Sequence, residues 1–142
     1  MRGWLLDTNV VASLIAANGA PSVKAWANGQ AENRMWLSVL TLAEYDKGIA
    51  KLPDDDAAKA RYAAARDDLE ERFSDRILPV SDSVVRRWGA LAGRIQRETG
   101  HPPPVIDTLF AATAIEHGLC FVTRNVKDVA ATGAEIFSPW AT

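Results

Sequence analysis

Brief apolar runs alternate with longer stretches of helical periodicity along the chain. Gly3 to Leu6, Met35 to Ser38, Arg76 to Val80, Leu119 to Thr123 and Glu135 to Phe137 are short, and several are bounded by turn or cap residues, so they predict strands. Between them, Tyr62, Leu69 and Phe73 share one helical face, as do Val84, Trp88, Leu91 and Ile95, with Gly100 as a stop. Asp54-Asp55-Asp56 after Pro53 marks a helix start, where negative charge meets the positive end of the helix dipole. Residues 39 to 50, read as one helix, carry a core stripe of Val39, Leu42, Ala43, Ile49 and Ala50. The stiff His101-Pro102-Pro103-Pro104 connection delivers the chain into Val105 to Ile115, a segment apolar on nearly all sides and therefore expected to be buried. Strands separated by helices imply an α/β fold with a parallel sheet covered on both faces.

Composition narrows this picture. A chain of 142 residues, 48% hydrophobic and 24% charged, has the size and balance of a single domain spanning residues 1–142. Trp26, Trp36, Trp88 and Trp140 are candidates for its core. The single cysteine, Cys120, excludes an internal disulfide and suits a reducing cytoplasm. One basic residue, Arg2, precedes Trp4-Leu5-Leu6-Asp7, and no apolar run reaches the roughly 18 residues of a membrane span, so neither a signal peptide nor a membrane anchor is expected. A net charge of −2 argues against a binder that relies on a broad basic face. It leaves nucleic acid open as a substrate, because divalent cations reverse the local sign at a carboxylate-rich site.

The acidic residues fall in suggestive places. In an open parallel sheet, ligands bind beyond the carboxyl ends of the strands, near the point where strand order reverses. Asp7 ends the first strand and Thr123-Arg124-Asn125 follows the fourth, so the two clusters share a rim if those strands are neighbours. Asp128 follows three residues on. Asp107 opens the buried helix and is either its cap or a ligand at the rim. Glu44 projects away from the expected core stripe, either as a solvated partner of Lys47 or as a member of the same acidic group. Asp46 falls within that stripe and either terminates it or faces the acidic cleft. Carboxylates clustered within a few ångströms take up protons or hold a cation, and an oxygen-only donor set with few histidines favours Mg²⁺ or Mn²⁺ over zinc. His101 and His117 are not spaced as a nucleophile and base pair or as metal ligands.

Four segments in order, Leu5-Leu6-Asp7-Thr8-Asn9-Val10, Ser38 to Glu44, Val105 to Ala114 and Val122 to Asp128, resemble the motifs of PIN-domain nucleases, particularly FitB-like VapC toxins. Leu78-Pro79-Val80 and Phe137-Ser138-Pro139-Trp140 are similar to that subfamily as well, whereas Tyr45-Asp46 departs from its apolar-then-basic pair. The resemblance implies a three-layer α/β/α domain with a mainly parallel sheet of about five strands. It also implies a metal-dependent endoribonuclease in which Asp7, Glu44 and Asp107 form the acidic core of a Mg²⁺ site, with Mn²⁺ as a substitute. The fourth polar position falls on Asp128 or Asn125, with Asp128 preferred for a charged role. Thr8, Asn9 and Thr123 are candidates for orienting water or ligands, or serve only as turn and cap residues. Arg124 and Lys127 are candidates for holding flanking RNA phosphates, or are ordinary solvated surface. As partners the resemblance implies RNA as substrate, a DNA-binding antitoxin, operator DNA only through the antitoxin complex, and a second copy of the chain in a homodimer.

Two alternatives stand beside this reading. A haloacid-dehalogenase-type phosphatase also begins with an apolar strand ending in Asp, which it uses as a nucleophile; its second Asp is expected two residues later, where this chain has Asn9. The other alternative is a catalytically weak module that binds a partner or DNA.

Overall fold

In the computed structural model, which describes residues 3–140, five strands form one sheet in the order β3-β2-β1-β4-β5, every adjacent pair parallel. The chain runs β1 (Trp4–Leu6), α1 (Thr8–Ile15), α2 (Pro21–Asn28), β2 (Met35–Ser38), α3 (Val39–Ala50), α4 (Ala57–Arg72), β3 (Ile77–Leu78), α5 (Asp82–Thr99), α6 (Val105–His117), β4 (Cys120–Val122), α7 (Val126–Val129) and β5 (Ile136–Phe137). Each strand expected from the apolar runs is present, β2 over the expected residues and the others shorter. The helices α1, α2 and the single turn α7 were not individually legible: α1 and α2 are short, and Pro21 at the first position is the main local signal for α2. Among the described residues, no helix is long and apolar enough to cross a membrane.

Alternation along the strands builds the layers. Leu6 of β1 and Val122 of β4 join Val10, Val23, Leu37 and Leu69 in a core beneath α1 to α4. Leu5 and Phe121, one residue back, point the other way and pack with Phe110, Ala111 and Ala114 of α6. Phe110 and Phe121 stack with ring centroids 5.5 Å apart and planes 13° apart. The small residues Ala111, Ala112 and Ala114 let α6 lie close to the sheet, and α5 covers its outer side. The result is the three-layer α/β/α arrangement.

Local chemistry sets the helix ends. Ser38 and Asp56 cap α3 and α4 through their side chains, which confirms the helix start in the Asp54 to Asp56 run. Gly100 and Gly118 end α5 and α6 in the left-handed region, at φ of +83° and +66°.

The face of α3 differs from expectation. Thr41 and Leu42 are buried, Leu40 and Tyr45 pack on the two cores, and Val39 is 39% exposed. Of the stripe predicted from residue type, Leu42 is core as expected, whereas Val39 and Ala43 are exposed along a shallow surface groove against α4. Asp46 shares that groove and pairs with Arg66 of α4 at 2.8 Å, so it neither ends a core stripe nor reaches the acidic cleft.

The Phe110–Phe121 stack joins the helix that carries Asp107 to the strand that Thr123 follows. Truncation by Phe110→Ala is expected to lower unfolding free energy by about 3–5 kcal/mol, as read by urea denaturation followed by circular dichroism.

Candidate metal centre at the sheet switch point

The strand order places a topological switch between β1 and β4, since the chain moves outward through β2 and β3 on one side and returns to β4 and β5 on the other. Leu6 pairs with Val122, and the Asp7 amide donates to the Val122 carbonyl at 2.9 Å. The next residue on each strand is therefore held at the same rim. There the Thr123 hydroxyl donates to Asp7 Oδ2 at 2.6 Å, across 116 positions of sequence. Asp7 also caps α1, with Oδ1 accepting from the Thr8 amide at 2.7 Å.

These hydrogen bonds and the N-terminus of α1 favour the carboxylate, but burial outweighs them. Asp7 is only 4% exposed. Desolvation raises its pKa to about 6, against the lowering effect of Thr123 and Thr8, and the charges of Asp107 and Glu44 push it the same way as burial. Asp107 is raised as well, first by desolvation and then by Asp128 and Glu44. The four acids predicted from sequence thus lie close enough to perturb one another. Asp107 occupies the third position of α6 and makes no capping bond; Pro104 is the cap position, so the capping explanation of Asp107 does not hold.

Glu44 is not paired with Lys47. Its Oε1 accepts from the Thr8 hydroxyl at 2.6 Å, and Thr8 Oγ1 lies 3.0 Å from Thr41 Oγ1. With its single proton committed to Glu44, Thr8 accepts from Thr41, giving a chain of donors from Thr41 to Thr8 to Glu44. The sequence reading missed Thr41. The available signal was its place three residues before Glu44, one helical turn back on the same side of α3.

The remaining candidates divide. Thr123 Oγ1 also accepts from the Asn125 amide at 3.0 Å, so the turn after β4 is locked to the residue that holds Asp7. Asn125 contributes that backbone group and stands at the cap position of α7, with no side-chain capping bond. Asp128 is exposed on α7, and its charge acts on Asp107. Asn9 lies in the first turn of α1 with a buried, unpartnered Oδ1. Arg124 and Lys127 are exposed at the rim and form no ion pair among the described residues.

The donor set fits a hard divalent cation. It consists of carboxylate and hydroxyl oxygens, its acids repel one another, and among the described residues no lysine or arginine side chain neutralises them. Among the described residues, no three His, Cys, Asp or Glu side chains already close around a common point.

Because the folded-state pKa of Asp7 lies above its unfolded value of 3.8, the folded protein binds more protons between pH 4 and 6. In chelator, stability is therefore expected to fall as pH rises through that window, by about 3 kcal/mol at most from this group. The stability difference between Asp7→Asn and wild type should grow in favour of the variant from pH 4 to pH 7, measured by denaturant unfolding; a difference independent of pH would contradict the strained carboxylate.

Comparison with known proteins agrees with this architecture. The PIN domain family matches residues 4–132. The chain is 29% identical over 136 residues to VapC ribonuclease Y4jK of Sinorhizobium fredii, covering 96% of each chain. It is 27% identical over 136 residues to toxin FitB of Neisseria gonorrhoeae, covering 96% of this chain and 97% of that one. A solved FitAB complex bound to an IR36 DNA fragment superposes with a TM-score of 0.85 at 26% identity, over 98% of this chain and 96% of the other. DNA-bound VapBC from Salmonella typhimurium gives a TM-score of 0.76 at 26% identity, over 98% and 99% of the two chains. With a parallel sheet in this order, a buried Asp at the end of its central strand and a family match across nearly the whole chain, the protein belongs to the PIN domain family.

Proposed function

We propose that this protein is a Mg²⁺-dependent endoribonuclease and the toxin of a VapBC-like or FitAB-like toxin-antitoxin pair. The observation that carries the reading is the Asp7 carboxylate, buried at the switch point and raised to about 6 in the company of Asp107 and Glu44. Such an arrangement is costly for stability and is what a cation site requires. The similarity to a VapC ribonuclease and to toxin FitB supports the substrate class and the toxin role.

On this reading Asp7 and Asp107 hold the ion directly, while Glu44 and Asp128 complete the site directly or through water. Bound Mg²⁺, or Mn²⁺ in its place, supplies Lewis acidity toward the scissile phosphate and its attacking water. The chain's own groups supply order. Thr123 and the Thr8 amide fix the two oxygens of Asp7, so its carboxylate presents one orientation. Thr8, backed by Thr41, fixes Glu44, which accepts a proton from the attacking water or anchors that water. Asn9 and Asn125 take supporting positions, and Arg124 and Lys127 supply the rim's unpaired positive charge for RNA phosphates. The family match leaves the phosphatase alternative without support.

The partner reading follows the same similarity. A groove of about 730 Å³ beside β1, lined by the apolar Leu6, Val11, Met35 and Phe73 and by the polar Lys24, Glu32 and Arg72, offers a track of mixed character that reaches Leu6, the residue before Asp7. The C-terminal segment of a DNA-binding antitoxin laid there would block the acidic cleft, with operator DNA held through that antitoxin. The protein acts in the cytoplasm as one catalytic domain, paired as a homodimer.

The test is cleavage of RNA by purified, antitoxin-free protein with Mg²⁺ or Mn²⁺. Asp7→Ala and Asp107→Ala are each expected to lose about a hundredfold or more in activity, and Glu44→Gln a smaller factor. Mg²⁺ should also raise the melting temperature of wild type and not of Asp7→Ala. Intact RNA under both metals, with the fold confirmed by circular dichroism, would instead favour a partner-binding module without catalysis.

A further inference from the structure

The C-terminal end of the described chain returns to the acidic rim. The Thr123 amide donates to the Phe137 carbonyl at 3.0 Å, so the end of β5 lies against the residue that holds Asp7. Three residues later, Trp140 packs on the core beneath α1 to α4 and offers its ring to Arg124, whose guanidinium carbon lies 5.4 Å from the ring centroid. Arg124 is the residue after Thr123. A cation–π contact therefore joins the turn after β4 to the segment after β5, beside the carboxylates.

The contact is informative because of what Arg124 does not do. It stands at a rim where Asp7, Asp107, Glu44 and Asp128 act on one another, yet among the described residues it pairs with none of them or with any other acid. A long cation near unneutralised carboxylates ordinarily swings onto them. Here an aromatic ring takes the charge instead and holds it aside. The guanidinium carbon lies over the ring, 5.4 Å from its centroid; a planar guanidinium resting on a ring keeps N–H donors for other partners, and those donors match the two oxygens of a phosphodiester. A lysine offers no such plane, and an arginine without a ring to rest on is free to collapse onto the acids.

The geometry points to Arg124 as the residue that binds an RNA phosphate flanking the scissile bond, with Trp140 as the positioning residue that stacks its guanidinium and keeps it off the metal-binding acids. This rests on the ribonuclease reading above and adds to it the division of labour between the two residues. Trp140 does not touch substrate. Its effect passes entirely through Arg124, which makes the two residues energetically dependent.

The experiment measures KM and kcat on a long in vitro RNA transcript with Mg²⁺, together with the salt dependence of binding to a fluorescent, random-sequence single-stranded RNA in an Asp7→Asn background. Arg124→Gln is expected to raise KM about tenfold with kcat within about twofold. It should also reduce the slope of log affinity against log salt by roughly 0.7. Arg124→Lys should recover the salt slope and only part of the KM. Trp140→Ala should reproduce Arg124→Gln, Trp140→Phe should stay near wild type, and the Arg124→Gln/Trp140→Ala double variant should be no worse than Arg124→Gln alone. Because Trp140 packs on the core, a loss of folding in Trp140→Ala would be visible in its melting curve; the positioning role is then read from Trp140→Leu, which keeps an apolar side chain on the core, removes the ring and is expected to reproduce Arg124→Gln. A wild-type KM and salt slope for Arg124→Gln would overturn the inference, as would additive losses in the double variant. If wild type itself leaves the transcript intact, the ribonuclease reading falls first; if wild type cleaves and Arg124→Gln matches it, only the phosphate-binding role falls.

Discussion

The carboxylate of Asp7 is held at the end of the central strand with almost no access to water, and the surrounding structure is organised by that fact. A buried anion needs donors, and it receives them from both sides: the amide of the helix it caps, and a hydroxyl from the neighbouring strand. Those donors do not fully replace water, so the pKa of the group stands raised to about 6. The same balance makes Asp7 a poor contributor to metal-free stability and a suitable seat for a cation.

Support for the site comes in successive layers of polar contacts that reach far along the chain. Thr123 serves Asp7 and at the same time accepts from the Asn125 amide, so the strand end and the turn after it are one unit. Thr41, wholly buried on α3, backs Thr8, and Thr8 holds Glu44. Thr123 and Thr8 each donate through the hydroxyl to a carboxylate while accepting from a second group, which lets a small side chain serve two partners with little added volume. Beneath this shell the packing is apolar and tight, with Leu6 and Val122 on one face and Leu5 and Phe121 on the other fixing the register that aligns the two strand ends.

Charge is distributed in keeping with this. The acids gather at the carboxyl rim, near the N-termini of α1 and α6, whose dipoles partly offset the repulsion. The ion pairs among the described residues lie elsewhere: Lys59 with Asp54, Arg66 with Asp46 and Asp67, Arg87 with Glu116, and Arg94 with Glu98, for example, are exposed or half-exposed surface contacts of small energetic weight. Asp46 shows how context decides an acid's role. Two residues from Glu44, it faces α4 rather than α1, and so meets an arginine instead of the acidic group.

Sequence alone determined the five strands, the helix start in the Asp54 to Asp56 run, the glycine stop at Gly100 and the place of Asp7 at the end of the first strand. These are set by local causes, namely side-chain size, β-branching, capping chemistry and residues ending strands. Tertiary structure decided what depends on neighbours. The pattern of residue types on α3 pointed to Val39 and Ala43 as core, yet the helix turns Thr41 inward, because a hydroxyl that finds a partner in Thr8 is as acceptable inside as a methyl group. Likewise, helical spacing left Glu44 between a solvated pairing with Lys47 and the acidic group, and Asp107 between cap and ligand; Glu44 is exposed but bonded to Thr8 of α1, and Asp107 caps nothing and feels the charges of Asp128 and Glu44. The state of a carboxylate is fixed by the dielectric and charges around it, and those belong to residues more than a hundred positions away, as Thr123 is from Asp7.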